Sequence, residues 1–108
     1  MIRVRFVLDK DERIASFYVK GHAQSAKHGK DIVCAAVSAV AQTAIIGLEE
    51  YVHIIPAVRQ EPGDLSCFLP DEVAAEQKQA SEAILRTCYL GLLAIKESHP
   101  RYLTVEMI

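Results

Sequence analysis

The sequence predicts an α+β domain. It is a two-layer α/β sandwich in the order ββαββαβ, with two long helices on one face of a mostly antiparallel sheet. Three observations lead there. Short runs of alternating apolar and polar residues stand near the start, middle and end of the chain. Two long stretches carry apolar residues at helical spacing. Each of those stretches follows a pair of strand-like runs joined by a polar turn.

Ile2, Val4, Phe6 and Leu8 alternate with Arg3, Arg5 and Val7, the pattern of a half-buried strand. Asp9 to Arg13 reads as a turn. Ile14 to Lys20 is rich in β-formers, with Ala15, Phe17 and Val19 on one face, and completes a hairpin. Gly21 to Lys30 reads as a loop bracketed by Gly21 and Gly29, and a loop of that length inside a compact domain is often functional. Asp31 reads as the N-cap of a helix that runs to about Tyr51. Val33, Val37, Val40, Ala44 and Leu48 lie near one face of that helix, while Ala36, Ala39 and Ile46 lie near others. A helix apolar nearly all round is buried on more than one side, here by the sheet and by a partner subunit.

His53 to Gln60 reads as a third strand, and Pro56 places it at a sheet edge or a bulge. Glu61-Pro62-Gly63-Asp64 is a turn, followed by a short strand from Leu65 to Leu69. Pro70-Asp71-Glu72 opens the second helix, whose stripe is Ile84, Cys88, Gly91 or Leu92, and Ile95. His99-Pro100 ends it near Ser98. Tyr102 to Ile108 alternates again as a last strand. The whole, residues 1–108, is expected to be a single domain.

Composition bounds the function. With 51% hydrophobic and 24% charged residues the chain is a globular protein rather than a disordered one. Its net charge is −2 and its basic residues are scattered. Direct nucleic-acid binding, which needs a dense basic patch, is therefore not expected. The N-terminus MIRVRFVL alternates and has no continuous apolar core of a signal peptide. The apolar run 32–48 contains Ser38, Gln42 and Thr43 and is short for a membrane span. A cytoplasmic protein without a membrane partner is the expectation. Cys34, Cys67 and Cys88 fit no disulfide framework and no paired metal spacing, so reduced thiols are expected, with neither cofactor nor metal. A zinc site joining His22, Cys34 and another cysteine has the wrong spacing.

The chemistry concentrates in GHAQSAKHGKDIVCAAVSAV, residues 21–40. With Asp31 as N-cap, Cys34 falls in the first turn, where backbone amides and the helix dipole favour a thiolate. His22 follows the second strand, and the loop folds the chain back toward the helix start. A cysteine beside a histidine is the minimal apparatus of acyl transfer. The same residues also fit an ordinary buried thiol in an Ala/Val-rich helix. Asp31 either raises the thiol pKa, as a nearby carboxylate does, or orients His22, and Ser38 stands one turn after Cys34 on the same face. His28 is a candidate substrate contact or alternative base. Cys67 and Cys88 read as core thiols, His53 as a surface residue at a strand start, and His99 as a helix C-terminal residue where a cationic side chain is favourable.

GHA, then a short loop with Gly29, then Asp31-Ile32-Val33-Cys34-Ala35-Ala36-Val37-Ser38-Ala39, resembles the signature of the ribosomal-processing cysteine protease family, Prp. The resemblance implies a cytoplasmic bacterial cysteine endopeptidase, typically homodimeric. Its substrate would be the precursor of a large-subunit ribosomal protein, from which it removes an N-terminal extension. It implies His22 as catalytic histidine and Cys34 as nucleophile, with first-turn amides near Val33 and Cys34 binding the oxyanion. The loop carrying Gly21, Ala23, His28 and Gly29 would bind substrate. Many members carry an aromatic residue just before Gly29; this chain has His28, which bears on loop contacts and substrate preference. The alternative from a different class is a non-enzymatic, ribosome-associated module whose loop grips a peptide without cutting it.

Overall fold

The computed structural model describes residues 1–21 and 28–108, and the side chains of residues 1–21 and 32–108. The elements are β1 (Ile2–Leu8), β2 (Ile14–Lys20), α1 (His28–Glu50), β3 (Ala57–Glu61), β4 (Asp64–Phe68), α2 (Ala75–Ser98) and β5 (Leu103–Met107). Their order is ββαββαβ, as the sequence indicates. The sheet runs β3-β4-β2-β1-β5. β1 with β2, β2 with β4 and β3 with β4 pair antiparallel, and β1 with β5 pairs parallel.

The β1–β2 hairpin carries an irregularity that sequence alternation does not reveal. Val7 pairs with Ser16 but Leu8 pairs with Ile14, so Ala15 is the extra residue of a bulge. The bulge moves the inward position from Ala15 to Ile14. Ile14 and Phe17 are both buried, and Val19 packs against the same core. The turn before it is held by Asp9, whose Oδ1 accepts the N–H of Asp11 at 2.8 Å and of Arg13 at 3.1 Å.

The third strand is shorter than the alternation suggests. It begins at Ala57, directly after Pro56, and is an edge strand as that proline indicates. The residues before it close α1 instead. Tyr51 and Val52 N–H donate to the Gly47 carbonyl and Ile54 N–H to that of Leu48. His53, expected to begin a strand, turns the chain there in the left-handed region at φ +63°. Pro62 and Gly63 form the two-residue turn between β3 and β4, with Gly63 at φ +72°.

α2 also starts later than Pro70-Asp71-Glu72. Leu69 N–H still donates to the Ala15 carbonyl at 2.9 Å, which keeps the chain extended along β2. Gln77 then sets the start. Its N–H donates to the Ala74 carbonyl at 2.9 Å, while its Oε1 accepts the Ala74 N–H at 3.2 Å. Its Nε2 donates to the carbonyls of Val52 and His53, tying the start of α2 to the end of α1.

The core lies between the sheet and the two helices. Phe6 stacks on Phe17 with centroids 5.2 Å apart and meets the edge of Tyr89 at 5.3 Å. α1 contributes Val33, Val37, Ala41, Ala44, Ile45 and Leu48; α2 contributes Ser81, Leu85, Cys88 and Leu92. Cys88 and Leu92 lie on the buried stripe that sequence periodicity marks, while Ser81 and Leu85 complete it in place of Ile84 and Ile95, which are half-buried. Ile84 and Gly91 face α1 instead: a Cβ on Gly47 would stand 3.3 Å from Ile84 Cδ1, and one on Gly91 3.6 Å from Val40 Cγ1. Those two contacts run in opposite directions along the helices, so α1 and α2 are antiparallel neighbours. Taken as far as Glu50, the apolar run beginning at Ile32 is long and apolar enough to cross a membrane by length and composition. Here one stripe of it packs on the sheet.

Candidate active site

Cys34 stands six residues after the first residue of α1. It is half-buried and packs at the border of the core. It opens onto a cavity of about 290 Å³ between α1, the strand ends and the β3–β4 turn. Ile2, Val37, Ala41 and Leu65, all buried, form the apolar floor; Ser38, Gln42 and turn residues 60–64 form the rim. A cleft with an apolar floor and a few polar groups at its mouth is suited to binding a side chain of an extended peptide.

Gly21 is the part of the GHA motif that the structure describes, and its surroundings require glycine. Its φ is +107°, and a Cβ there would collide with the Met1 carbonyl oxygen. Its N–H donates to the Gly63 carbonyl at 3.0 Å, which fastens the end of β2 to the β3–β4 turn at the edge of the cavity.

His22 and Ala23 lie outside the described residues. His28, Gly29 and Asp31 have helical backbone, and their side chains lie outside the described residues. Two local expectations are corrected by this backbone. The segment after Gly21 enters the helix at His28 rather than after Lys30, and Asp31 sits inside α1 rather than at its cap. The amides of Val33 and Cys34 therefore point along the helix to carbonyls four residues earlier, and are not free first-turn donors for an oxyanion.

The other two thiols are unlike Cys34. Cys67 and Cys88 are 1% and 4% exposed. Burial pushes each thiol up to about 12, with the charge of Glu49 adding at Cys67 and the neighbouring Cys67 adding at Cys88. Both are core thiols, as read from their positions in a strand and on a helix stripe. All three cysteines are free. His53 is exposed, and His99 caps the end of α2, its N–H donating to the Ile95 carbonyl at 2.9 Å.

Sequence reasoning missed two parts of the site. Gln42 is eight residues from Cys34 on the same stripe of α1, and that spacing was the available signal. The β3–β4 turn, legible as a turn in Glu61-Pro62-Gly63-Asp64, reaches the cavity only through the sheet order. Its acids are already paired: Arg59 Nη2 meets Glu61 Oε2 at 3.1 Å and Arg59 Nε meets Asp64 Oδ2 at 3.7 Å.

The fold is an α+β domain in which Cys34 lines an open cleft while Cys67 and Cys88 are buried. Comparison with known proteins gives its class. A family model described as Cysteine protease Prp matches residues 1–104. The chain belongs to this family of cysteine proteases. It is 29% identical over 108 residues to "Ribosomal processing cysteine protease Prp" of Bacillus subtilis (strain 168), covering 97% of this chain and 96% of that one. Two crystal structures of an essential ribosomal processing protease Prp from S. aureus share the fold over the whole of both chains. One, in complex with a substrate peptide, matches with TM-score 0.87 at 21% identity. The other, in complex with a covalently linked product peptide, matches with TM-score 0.84 at 23% identity.

Proposed function

We propose that this cysteine protease is the endopeptidase that removes the N-terminal extension of a large-subunit ribosomal protein precursor, with Cys34 as nucleophile and His22 as its acid–base partner. The observation that carries the reading is the half-buried Cys34 at the mouth of the cavity, in a chain whose other thiols are sealed in the core. In this reaction His22 takes the proton of the thiol, and the sulfur attacks the scissile carbonyl. The protonated imidazole then gives its proton to the leaving amine, and water releases the acyl group from sulfur. The apolar floor receives an apolar side chain of the substrate next to the scissile bond.

The reaction belongs in the cytoplasm, where the three thiols stay reduced. The working unit is a homodimer. It is supported by an apolar groove of about 710 Å³ between α1 and α2, flanked by small residues and by the 79% exposed ring of Tyr51.

The test is incubation with a peptide spanning the precursor's extension and first mature residues, read by mass. Two fragments from one internal cut are expected from the wild type, and none from Cys34→Ser or His22→Ala. Full cutting by either variant would remove the dyad.

A further inference from the structure

β3 is an edge strand, paired on one side only, with β4. The register decides which of its backbone groups face the open side. At one end of β4 the Gly63 carbonyl accepts the Gly21 N–H at 3.0 Å, and at the other Leu69 N–H donates to the Ala15 carbonyl at 2.9 Å. Both Gly63 and Leu69 thus turn their backbone groups toward β2. In a ladder, successive residues of a strand bond to opposite sides. Leu65 and Cys67 therefore also bond toward β2, while Asp64, Ser66 and Phe68 bond toward β3. Their partners there are Glu61, Arg59 and Ala57. The residues between those partners, Val58 and Gln60, turn their N–H and C=O to the open edge, about 7 Å apart along the strand.

The devices that close an edge stand outside this one or face away from it. Pro56 precedes the strand and Pro62 lies in the turn after it. Arg59 and Glu61 pair with each other, and Arg59 with Asp64. Val58 and Gln60 lie opposite Cys67 and Leu65, which are buried under the helices, so their side chains share the helix face of the sheet and those of Arg59 and Glu61 take the other. All five residues of β3 are exposed. The edge also leads to the thiol. Gln60 and Glu61 line the cavity that Cys34 lines, and among the described residues β5, the other edge strand, contributes none.

We propose that β3 receives the peptide substrate as an added strand: an extended segment beside the scissile bond pairs through alternate backbone groups with Val58 and Gln60, and its neighbouring residues enter the cavity at Cys34. Backbone pairing aligns the chain whatever its side chains, and the apolar floor selects among those side chains. The occupant is an unfolded, extended stretch of polypeptide. The inference rests on the reading of the precursor's extension as substrate.

The experiment is a backbone N-methyl scan of a peptide spanning the precursor's extension and first mature residues, one methylated amide per peptide. Binding to the Cys34→Ser protein is read by fluorescence anisotropy, which needs no cleavage. Methylation removes one N–H and keeps every side chain. Two amides two residues apart should each weaken binding by about three- to tenfold, and the amide between them should not. On the protein side, Val58→Pro removes an edge-facing N–H and leaves the β3–β4 ladder intact, so it should weaken the unmodified peptide similarly. Val58→Thr should bind within about twofold of the parent. A uniform loss across the scan, or no loss away from the scissile amide, would overturn the proposal. So would a Val58→Pro protein that binds normally but turns from dimer to monomer in light scattering, because the edge would then belong to a second copy. Wild-type cleavage of the unmodified peptide is scored separately. A peptide bound with the alternating pattern but left uncut sinks the functional reading alone, one cut without the pattern sinks this proposal alone, and one neither bound nor cut sinks both.

Discussion

Three thiols of identical chemistry fall into two groups because of what surrounds them. Burial pushes the Cys67 and Cys88 thiols up to about 12, so both stay in the protonated form at pH 7, and the thiolate is the reactive form. Cys67 and Cys88 are protected by that protonation and again by the core that encloses them. Native protein treated with iodoacetamide near pH 6–7 is expected to take one label, at Cys34, and three only after unfolding. Peptide mapping decides it, and native labelling of Cys88 at a similar rate would contradict the packing. Gly21 shows the same dependence on surroundings. Both its positive φ and the nearby Met1 carbonyl reject a side chain, so Gly21→Ala should cost about 1–3 kcal/mol, read as a lower thermal midpoint. The requirement for glycine was visible only as the letter G beside a histidine. Its cause, a close approach between the chain terminus and the end of β2, involves residues twenty positions apart.

Among elements, the strands and helices were legible as types and less so as boundaries. β1 and β2 have the limits that alternation gives them, because an alternating edge-to-edge pattern is a local property. The bulge at Ala15 was not legible, since a bulge is a relation between two strands. Helix starts were misread for a related reason. Asp31 and the Pro70-Asp71-Glu72 cluster have cap chemistry, but α1 begins at His28 and α2 is set by Gln77 reaching across to the end of α1. α2 is fastened to β2 by Glu82 as well. Its Oε1 accepts the N–H of buried Ile14 at 2.8 Å, while its Oε2 is held by Arg86 at 2.7 Å. Glu82→Ala leaves that buried amide without its acceptor and should cost roughly 1.5–3 kcal/mol in urea unfolding. Glu82→Gln keeps an acceptor and should retain most of the stability. Equal losses in the two variants would show that the bond to Ile14 is not what matters.

For the whole molecule, the apolar groove between α1 and α2 carries the clearest expectation. Thr43 and Thr87 stand exposed on its two walls. A carboxylate on each, in Thr43→Glu/Thr87→Glu, would be buried without a partner if a second copy covers the groove. If the proposed homodimer forms through this groove, its association should then weaken by at least about tenfold, or 1.4 kcal/mol, in light scattering over a concentration series. An unchanged association would remove the groove as the interface, and a monomeric wild type would remove the proposed homodimer. The element sequence ββαββαβ, the buried stripe of α1 and the motif around Cys34 were determined by the sequence alone, because each is a matter of spacing between near neighbours. The strand order, the parallel pairing of β1 with β5 and the turn that walls the cavity were decided only in the tertiary structure. They depend on which distant segments share the core, and contacts across most of the chain leave no period in the sequence to read.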